Sequence, residues 1–213
     1  MRSFTAPLFA LVALPAMCTE YVVPPGDVGA FFANLPKDAT YVSFSAAAAY
    51  HAEGDIVLPQ VQYLVIDGKG AKLTLGASSN GFTTPITDQK MAAQRTGSRY
   101  TIREFASITG GRKAIDLQAT LNSSVIDCRL TGQSEVAVGL RFCLRTRLQN
   151  VLVTNPVRRG FVVRCGDWPG ASTSNSQSNH TVLDQCRVYC TSTTTEAFTV
   201  LNSGGVRLTD CIS

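Results

Sequence analysis

The sequence is poor in charge, in histidine and in tryptophan. Only 16% of the 213 residues are charged, and the chain has two histidines and one tryptophan. The net charge is +4 and no basic run is longer than Arg158-Arg159, so the chain lacks the basic stripe of a nucleic-acid-binding protein. Few charges among many small polar residues are typical of extended β structure rather than of helices with charged faces.

Long apolar runs are also scarce, and the clearest one lies at the N-terminus. Arg2 precedes an apolar run over residues 6–17. A cation followed by a short apolar run is the order of a secretory signal peptide, and the run is too short for a comfortable membrane span. The sequence therefore predicts a signal peptide over residues 1–18, a secreted or periplasmic location and no membrane span. A structural N-terminal helix is the alternative, and Pro7 and Pro15 count against it.

One short pattern recurs along the chain: an apolar residue, any residue, an Asp, Asn or Gln, and then a small or apolar residue. The four clear copies are Val125-Ile126-Asp127-Cys128, Leu148-Gln149-Asn150-Val151, Leu183-Asp184-Gln185-Cys186 and Leu208-Thr209-Asp210-Cys211. Counting from Phe105 in a looser copy, the fourth positions are 23, 23, 35 and 25 residues apart. A period in the twenties is typical of a solenoid.

The third and fourth positions of this pattern predict two different structural roles. The polar residue is expected to turn the chain at a corner, because Asn and Asp tolerate the left-handed conformation. The residue after it is Cys128, Cys186 or Cys211 in three copies. A small apolar side chain at one repeat position favours a buried ladder, and we expect these cysteines to stack in it.

A second strand follows in each repeat and begins with a small residue. Its copies are Ala114–Leu117, Gly139–Phe142, Gly160–Val163 and Ala197–Val200. This alignment predicts inward ladders of Ile115/Leu140/Phe161/Phe198 and Leu117/Phe142/Val163/Val200, with an outward column of Asp116, Arg141, Val162 and Thr199. A repeat this short holds strands and corners but no helix of ordinary length. The sequence therefore predicts an all-β fold, a single-stranded parallel β-helix.

The rest of the chain divides around this solenoid. Residues 19–38 predict a lead-in and a short N-terminal capping helix that begins after Asp27. Residues 39–213 predict the β-helix, which ends partway through a coil and is therefore expected to be incomplete at the C-terminus. The polar, aperiodic stretch Ser78–Arg99 predicts a loop that leaves the solenoid.

The motifs resemble those of one superfamily. Leu64-Val65-Ile66-Asp67-Gly68-Lys69-Gly70-Ala71, followed by repeated Val-x-Asp-Cys and Gly-Leu-x-Phe, is similar to the pectin lyase-like superfamily of right-handed parallel β-helices. The resemblance covers roughly residues 39–213. The superfamily includes polysaccharide lyases, hydrolases, esterases, viral tailspikes and proteins without known catalysis, so the resemblance implies the fold and no single reaction.

Superfamily members that cleave sugars usually do so on the strand face that corresponds here to Ala114–Leu117. Asp116 is the only acid in the predicted outward column, whereas hydrolysis generally needs two carboxylates. The paired aspartates and Gly-His-Gly of polygalacturonases are absent, since the two histidines are His51 and His180. A lyase instead needs a base for the sugar C5 proton and cations for the uronate carboxylate.

The candidate catalytic residues are therefore Arg141, Arg164 and Asp116. The two arginines lie on adjacent coils, where they are expected to pair with a uronate. Asp167 and Gln118 flank them as candidate substrate-binding residues, and Asp116 or Asp167 offers carboxylate oxygen for Ca²⁺, although no metal ligands are assigned. The alternative interpretation is a solvated Arg–Asp pair between coils, which contributes little.

Trp168 is the last candidate substrate-binding residue. It lies in a Ser-rich insertion within one repeat, where it either stacks on a sugar ring or pins its own loop. The leading hypothesis is a secreted β-helix protein that binds an acidic polysaccharide and, in its stronger form, cleaves it as a lyase. The alternatives are a non-catalytic structural or adhesion solenoid and a phage tailspike-like element. The oligomeric state stays open.

Overall fold

A computed structural model describes residues 19–213, so the predicted signal peptide lies outside the described residues. In chain order the elements are β1 (Glu20–Val22), β2 (Gly26–Asp27), α1 (Val28–Ala33), β3 (Tyr41–Ser43), β4 (Ala49–Ala52), β5 (Ile56–Val57), β6 (Tyr63–Asp67), β7 (Lys72–Leu75), β8 (Asn80–Thr83), α2 (Gln89–Arg95), β9 (Arg99–Arg103), β10 (Ser107–Gly110), β11 (Lys113–Gln118), β12 (Ser124–Ile126), β13 (Arg129–Thr131), β14 (Val136–Arg141), β15 (Arg147–Gln149), β16 (Leu152–Thr154), β17 (Arg159–Arg164), β18 (Val182–Asp184), β19 (Arg187–Tyr189), β20 (Glu196–Leu201) and β21 (Arg207–Thr209). Within residues 19–213, no helix is long and apolar enough to cross a membrane.

The strands form three sheets in which every neighbouring pair is parallel. Sheet A contains β1, β3, β6, β9, β12, β15, β18 and β21, sheet B contains β2, β4, β7, β10, β13, β16 and β19, and sheet C contains β5, β8, β11, β14, β17 and β20. The chain visits sheets A, B and C in turn, and each strand pairs with its equivalent one coil away. This is the parallel β-helix that the repeat predicts.

The first coil contains a helix where later coils have a strand of sheet C. Helix α1 begins after Asp27, whose carboxylate accepts a hydrogen bond from the Gly29 amide at 2.9 Å. Its buried Phe32 packs edge-on against Phe82 of the sheet C strand β8, with 5.7 Å between ring centroids. The apolar face of the helix therefore covers the end of the core, and the predicted cap is confirmed.

The corner between sheets A and B turns through left-handed backbone at the predicted polar column. Asp127, Asn150, Gln185 and Asp210 have φ angles of 53°, 51°, 55° and 50°. The side-chain amide of Asn150 donates to Asp127 Oδ1 at 2.7 Å, so neighbouring corners are tied together. The prediction of corner residues is confirmed.

The cysteines after this corner lie in the core as free thiols. Cys128 and Cys186 are fully buried, and Cys211 is half-buried. Burial raises the pKa of the Cys128 and Cys186 thiols to about 12. The Cys128 thiol donates instead to the Ile126 carbonyl oxygen at 3.3 Å, which identifies it as a packing residue of the predicted ladder.

In sheet C the strand register differs by two residues from the sequence alignment. Ile115 pairs with Val138 and Leu117 with Leu140, whereas the predicted ladders placed Leu140 and Phe142 at those positions. The outward column beside Asp116 is Gly139, Val162 and Thr199, and Arg141 instead pairs with Gln118 and Arg164. A slip of two residues keeps every inward side chain inward, so hydrophobic alternation does not detect it.

The stretch Ser78–Arg99 is not a loop, and that prediction was wrong. It contains strand β8 and helix α2, which begins after Asp88, where the carboxylate accepts a hydrogen bond from Met91 N–H at 2.8 Å. Helix α2 leaves the solenoid between a sheet C strand and a sheet A strand. The Ser-rich insertion between β17 and β18 leaves at the same corner, three coils later, so the two excursions lie side by side.

Asp67 ties three adjacent strands of sheet A together. Its carboxylate accepts hydrogen bonds from the Tyr41 hydroxyl at 2.7 Å, from Arg103 Nη2 at 2.7 Å and from the Lys69 amide at 3.0 Å. Burial alone would raise the pKa of Asp67, but the hydrogen bonds from Tyr41 and Arg103 outweigh it and lower the pKa below its usual 3.8.

We expect Asp67→Asn to lower the free energy of unfolding by about 1–2 kcal/mol near neutral pH, an amount reduced because Arg103 is partly exposed. A depressed folded-state pKa stabilises the fold above the unfolded value of 3.8 and loses that effect as the pH falls through the folded value. The difference between wild type and variant should therefore narrow between about pH 6 and about pH 2, measured by urea unfolding. Asp184→Asn, which removes a more exposed ion pair with Arg147, is the control. If Asp67→Asn lowered the free energy of unfolding equally at about pH 6 and at about pH 2, this account would be contradicted.

Candidate functional site

The outward face of sheet C carries a cleft of about 290 Å³ on strands β11, β14 and β17. It is lined by Lys113, Asp116, Glu135, Val136, Gly139, Arg141, Arg158, Arg159, Val162 and Arg164. All three candidate catalytic residues predicted from the sequence are among these. Five lining residues are basic and two are acidic, so the cleft has an excess of three positive charges.

Asp116 lies at the floor of this cleft. Its side chain is only 6% exposed, and Oδ2 accepts hydrogen bonds from Lys113 Nζ at 2.8 Å and from Arg141 Nη2 at 2.6 Å. Lys113 lies three residues earlier on the same strand, and Arg141 comes from the next coil. Two cations in contact with one buried carboxylate form a charge-assisted cluster that joins two coils.

Arg141 connects this cluster to the Ser-rich insertion. Its other terminal nitrogen, Nη1, donates to Asp167 Oδ1 at 2.7 Å, and Arg164 also donates to Asp167. Asp167 is 43% exposed, whereas Arg141 is 17% exposed. Exposure therefore increases from Asp116 on the buried floor of the cleft, through Arg141, to Asp167 at the rim. An exposed ion pair such as the one at the rim is weak and exchanges readily with other charged groups.

Gly139 makes room for the Asp116 carboxylate. A Cβ atom on Gly139 would lie 2.7 Å from Asp116 Oδ1, closer than side chains normally approach. The corrected register explains this contact, because Gly139 pairs directly with Asp116 in sheet C. An unsubstituted backbone at this position lets the carboxylate lie across the neighbouring strand and reach Arg141.

Sequence analysis missed four charged residues of the cleft: Lys113, Glu135, Arg158 and Arg159. Arg159 pairs with Glu196 at 3.2 Å, and Glu135 pairs with Arg112 at 2.8 Å. The spacing of 23 residues would have identified two of the four missed residues. Lys113, Val136 and Arg159 are 23 residues apart and occupy equivalent positions on consecutive strands of sheet C.

Arg158 is exposed and makes no ion pair with any residue in 19–213. Arg158 directly precedes strand β17 at the edge of the cleft. Its charge acts on the Glu135 carboxylate without a direct ion pair, and Glu135 is already paired with Arg112.

Two predicted substrate-binding residues lie outside the cleft. Gln118 is 1% exposed, and its amide donates to the Ile86 carbonyl at 3.4 Å. Trp168 is 6% exposed and packs at a tilt on Phe142, with 5.5 Å between ring centroids. It lies so close to Gly166 that a Cβ on Gly166 would overlap the indole. This packing favours the alternative in which Trp168 pins its loop. The role of both residues in substrate binding stays a prediction.

The carboxylates do not form a cation site. Asp116 and Asp167 are bridged by the guanidinium of Arg141, and each also contacts a second basic residue. Within residues 19–213, no group of three or more His, Cys, Asp or Glu side chains converges as metal ligands would. This donor set therefore does not fit the Ca²⁺ considered from the sequence.

We find no match to this chain among protein-family models, curated proteins or solved structures.

Gly139→Ala should lower the free energy of unfolding by about 1–3 kcal/mol, because the new methyl group pushes Asp116 away from its two cations. In the Asp116→Ala background the same substitution should cost much less, since the clashing carboxylate is gone. Denaturant unfolding of the four proteins measures this coupling. Gly97→Ala is the matched control, because nothing lies within 4 Å of a Cβ there. Additive losses for Gly139→Ala and Asp116→Ala would show that the two residues do not interact.

Proposed function

We propose that this chain is a secreted or periplasmic β-helix protein of the pectin lyase-like type, which binds an acidic polysaccharide in the basic cleft of sheet C. The observation that carries the proposal is the convergence of five basic side chains from three coils on one cleft. The proposed location follows from the signal-like pattern of residues 1–18 and suits a polysaccharide ligand.

Arg158 and Arg164 are the residues best placed to receive the ligand. Arg158 is exposed and makes no ion pair within residues 19–213, while Arg164 is 36% exposed and holds only the rim residue Asp167. A uronate carboxylate can pair with Arg158 directly and can replace Asp167 on Arg164 by exchange of one ion pair for another. Guanidinium groups suit this task because they bind carboxylates through two parallel hydrogen bonds.

The repeat spacing favours a polymer over a small anion. The basic residues lie on consecutive strands, and neighbouring strands of a sheet are about 4.8 Å apart. Cations repeated at this interval along an open cleft match a chain whose charges also repeat. A single carboxylate reaches two neighbouring coils, as Asp167 does with Arg141 and Arg164, whereas a polymer can engage cations of all three coils.

Binding needs no more than this arrangement, whereas cleavage needs a base. Asp116 is the one carboxylate on the cleft floor, and its Oδ2 is held by both Lys113 and Arg141. The Asp116 side chain is only 6% exposed and its Oδ2 already accepts two hydrogen bonds, so the carboxylate is poorly placed to reach a sugar C5 proton. We therefore propose binding as the function and treat lyase activity as a separate outcome of the assay.

The double variant Arg158→Ala/Arg164→Ala should weaken binding of oligogalacturonate about 10- to 100-fold, which corresponds to the loss of one or two charged hydrogen bonds. Isothermal titration calorimetry measures the affinity. The affinity of the wild type should also fall more steeply with salt than that of the variant. In the same samples, the ultraviolet absorbance of unsaturated uronate reports any lyase turnover.

The matched control is Arg129→Ala/Arg187→Ala. It removes the same two charges from exposed positions on sheet B, away from the cleft. We expect this control to bind oligogalacturonate nearly as the wild type does. Equal loss in both double variants would mean that net charge alone drives binding, and no binding by the wild type would refute the proposal.

A further inference from the structure

A second cleft, of about 330 Å³, lies between helix α2 and the Ser-rich insertion. It is lined by Gln89, Ala92, Ala93, Thr96, Phe142, Trp168 and Asn175. The two excursions meet here because both leave the solenoid at the corner between sheets C and A. They approach closely, since a Cβ on Gly170 would lie 3.2 Å from Gln89 Oε1. The volume lies at the lower end of the range of small-ligand sites.

None of the residues that line this second cleft is charged. Phe142 is half-buried and packs on Trp168 with a 50° angle between the rings. Gln89 and Asn175 contribute two exposed side-chain amides to the cleft. The Asn175 side-chain oxygen Oδ1 accepts hydrogen bonds from the Ser172 amide and hydroxyl, which hold the Asn175 side chain in place. An apolar wall with a few fixed polar groups is the usual make-up of a site for an uncharged ligand.

Trp168 has a donor that the protein itself does not use. Its indole N–H is buried and has no hydrogen-bond partner within the described residues. A buried polar group without a partner is costly, and few are tolerated in a native structure. Because this N–H has essentially no exposed surface, a ligand in the cleft meets the indole ring and not its N–H.

Phe142 occupies an unusual backbone conformation at this cleft. Its φ angle is 51°, in the left-handed region that bulky side chains rarely adopt, and its N–H donates to the Arg164 carbonyl at 3.2 Å. This conformation ends strand β14 and accompanies the contact of the ring with the insertion. Ala119 and Asn202, at the equivalent corners of other coils, have φ angles of 54° and 47°, so this backbone is a recurrent corner of the solenoid.

The two clefts are neighbours along the chain as well as in space. Arg141 of the basic cleft precedes Phe142, and Asp167 precedes Trp168. The ion pair between Arg141 and Asp167, at 2.7 Å, therefore stands between the basic cleft and the uncharged one. A polymer that crosses this ion pair places one sugar in each cleft.

We propose that the cleft between α2 and the insertion binds a neutral sugar residue of the same polysaccharide whose uronate lies in the basic cleft. The ligand is then a heteropolymer in which acidic and neutral sugars adjoin. Apolar C–H faces of the neutral ring pack on Phe142 and the Trp168 ring, and its hydroxyl or N-acetyl oxygens pair with the side-chain amides of Gln89 and Asn175. This inference rests on the proposed function of the basic cleft.

Oligosaccharides with equal charge but different neutral content test the inference. Trigalacturonate and alternating hexasaccharides of hyaluronan or rhamnogalacturonan carry three carboxylates each. Calorimetry should show about tenfold tighter binding of at least one alternating hexasaccharide, the gain that one or two added neutral hydrogen bonds supply. Because Trp168 is the only tryptophan, its fluorescence reports occupation of the second cleft directly.

The variant Gln89→Ala/Asn175→Ala should bind the alternating hexasaccharide only as tightly as it binds trigalacturonate. Its affinity for trigalacturonate should equal that of the wild type. Gln94→Ala, an exposed amide on the same helix but outside the cleft, is the control and should change neither. Trigalacturonate binding as tightly as both alternating ligands, with no effect of the double variant, overturns the inference and leaves the proposed function intact. Absence of binding by all three oligosaccharides overturns both.

Discussion

The stacking of equivalent residues one coil apart is the constraint on which the rest of this structure depends. Parallel strands repeat at about 4.8 Å, so each side chain lies directly on its counterpart in the next coil. Apolar counterparts form the buried ladders, such as Phe161 stacked on Phe198 with ring centroids 5.2 Å apart and the ring planes nearly parallel. Charged counterparts of opposite sign attract at this distance, as Asp67 with Arg103 and Arg159 with Glu196 show. Two like charges, Arg141 and Arg164, are also stacked, and the Asp167 carboxylate bonded to both offsets their repulsion. Gly139 beside Asp116 instead leaves the Asp116 carboxylate room to reach Arg141.

The same constraint gives meaning to the places where the chain departs from it. A coil has little freedom to vary without disturbing the coils on either side, whereas a corner can extend outward at small cost. Both excursions from the regular coils, α2 and the Ser-rich insertion, use the corner between sheets C and A. Their shared exit brings Ala92 and Trp168 into one small apolar cluster, separate from the main core. The fold therefore concentrates its irregular structure beside the cleft instead of spreading it over the surface.

Features that depend on one local pattern, such as the corner residues, could be predicted from the sequence. Features that require two patterns to be combined, such as the register of sheet C, could not. The left-handed corners at Asp127 and Asn150 could be predicted because a turn residue and a repeat position coincide. The register of Ala114–Leu117 could not be predicted from alternation, since Gly139 and Ala137 are both small and both precede alternating apolar residues. Only the spacing of 23, carried over from the corner column, distinguishes them.

The cleft was accordingly predicted in part. Asp116, Arg141 and Arg164 were identified, but the slip of two residues concealed Lys113 and Arg159 as members of one column. Contacts that join separate excursions left no local signal at all. Helix α2 has a polar, exposed outer face without a clear apolar period, and it is held by tertiary packing of Ala92 and Arg95. Trp168 packs against it from residues far along the chain, which no repeat pattern records.

The distribution of ion pairs within the cleft separates its structural part from its binding part. If Asp116 moved away, the partly buried cations Lys113 and Arg141 would each lose their ion pair with it. Burying a charge without a partner costs much folding free energy, so Asp116 stays in place. Asp167 can leave Arg164 at small cost, because both groups are largely hydrated and their attraction is weak. Under the proposed function, an incoming carboxylate displaces the rim pair and leaves the floor intact. In that proposal Asp116 preorganises Arg141 for ligands that Asp116 does not itself touch, and recognition depends on the exposed cations above it.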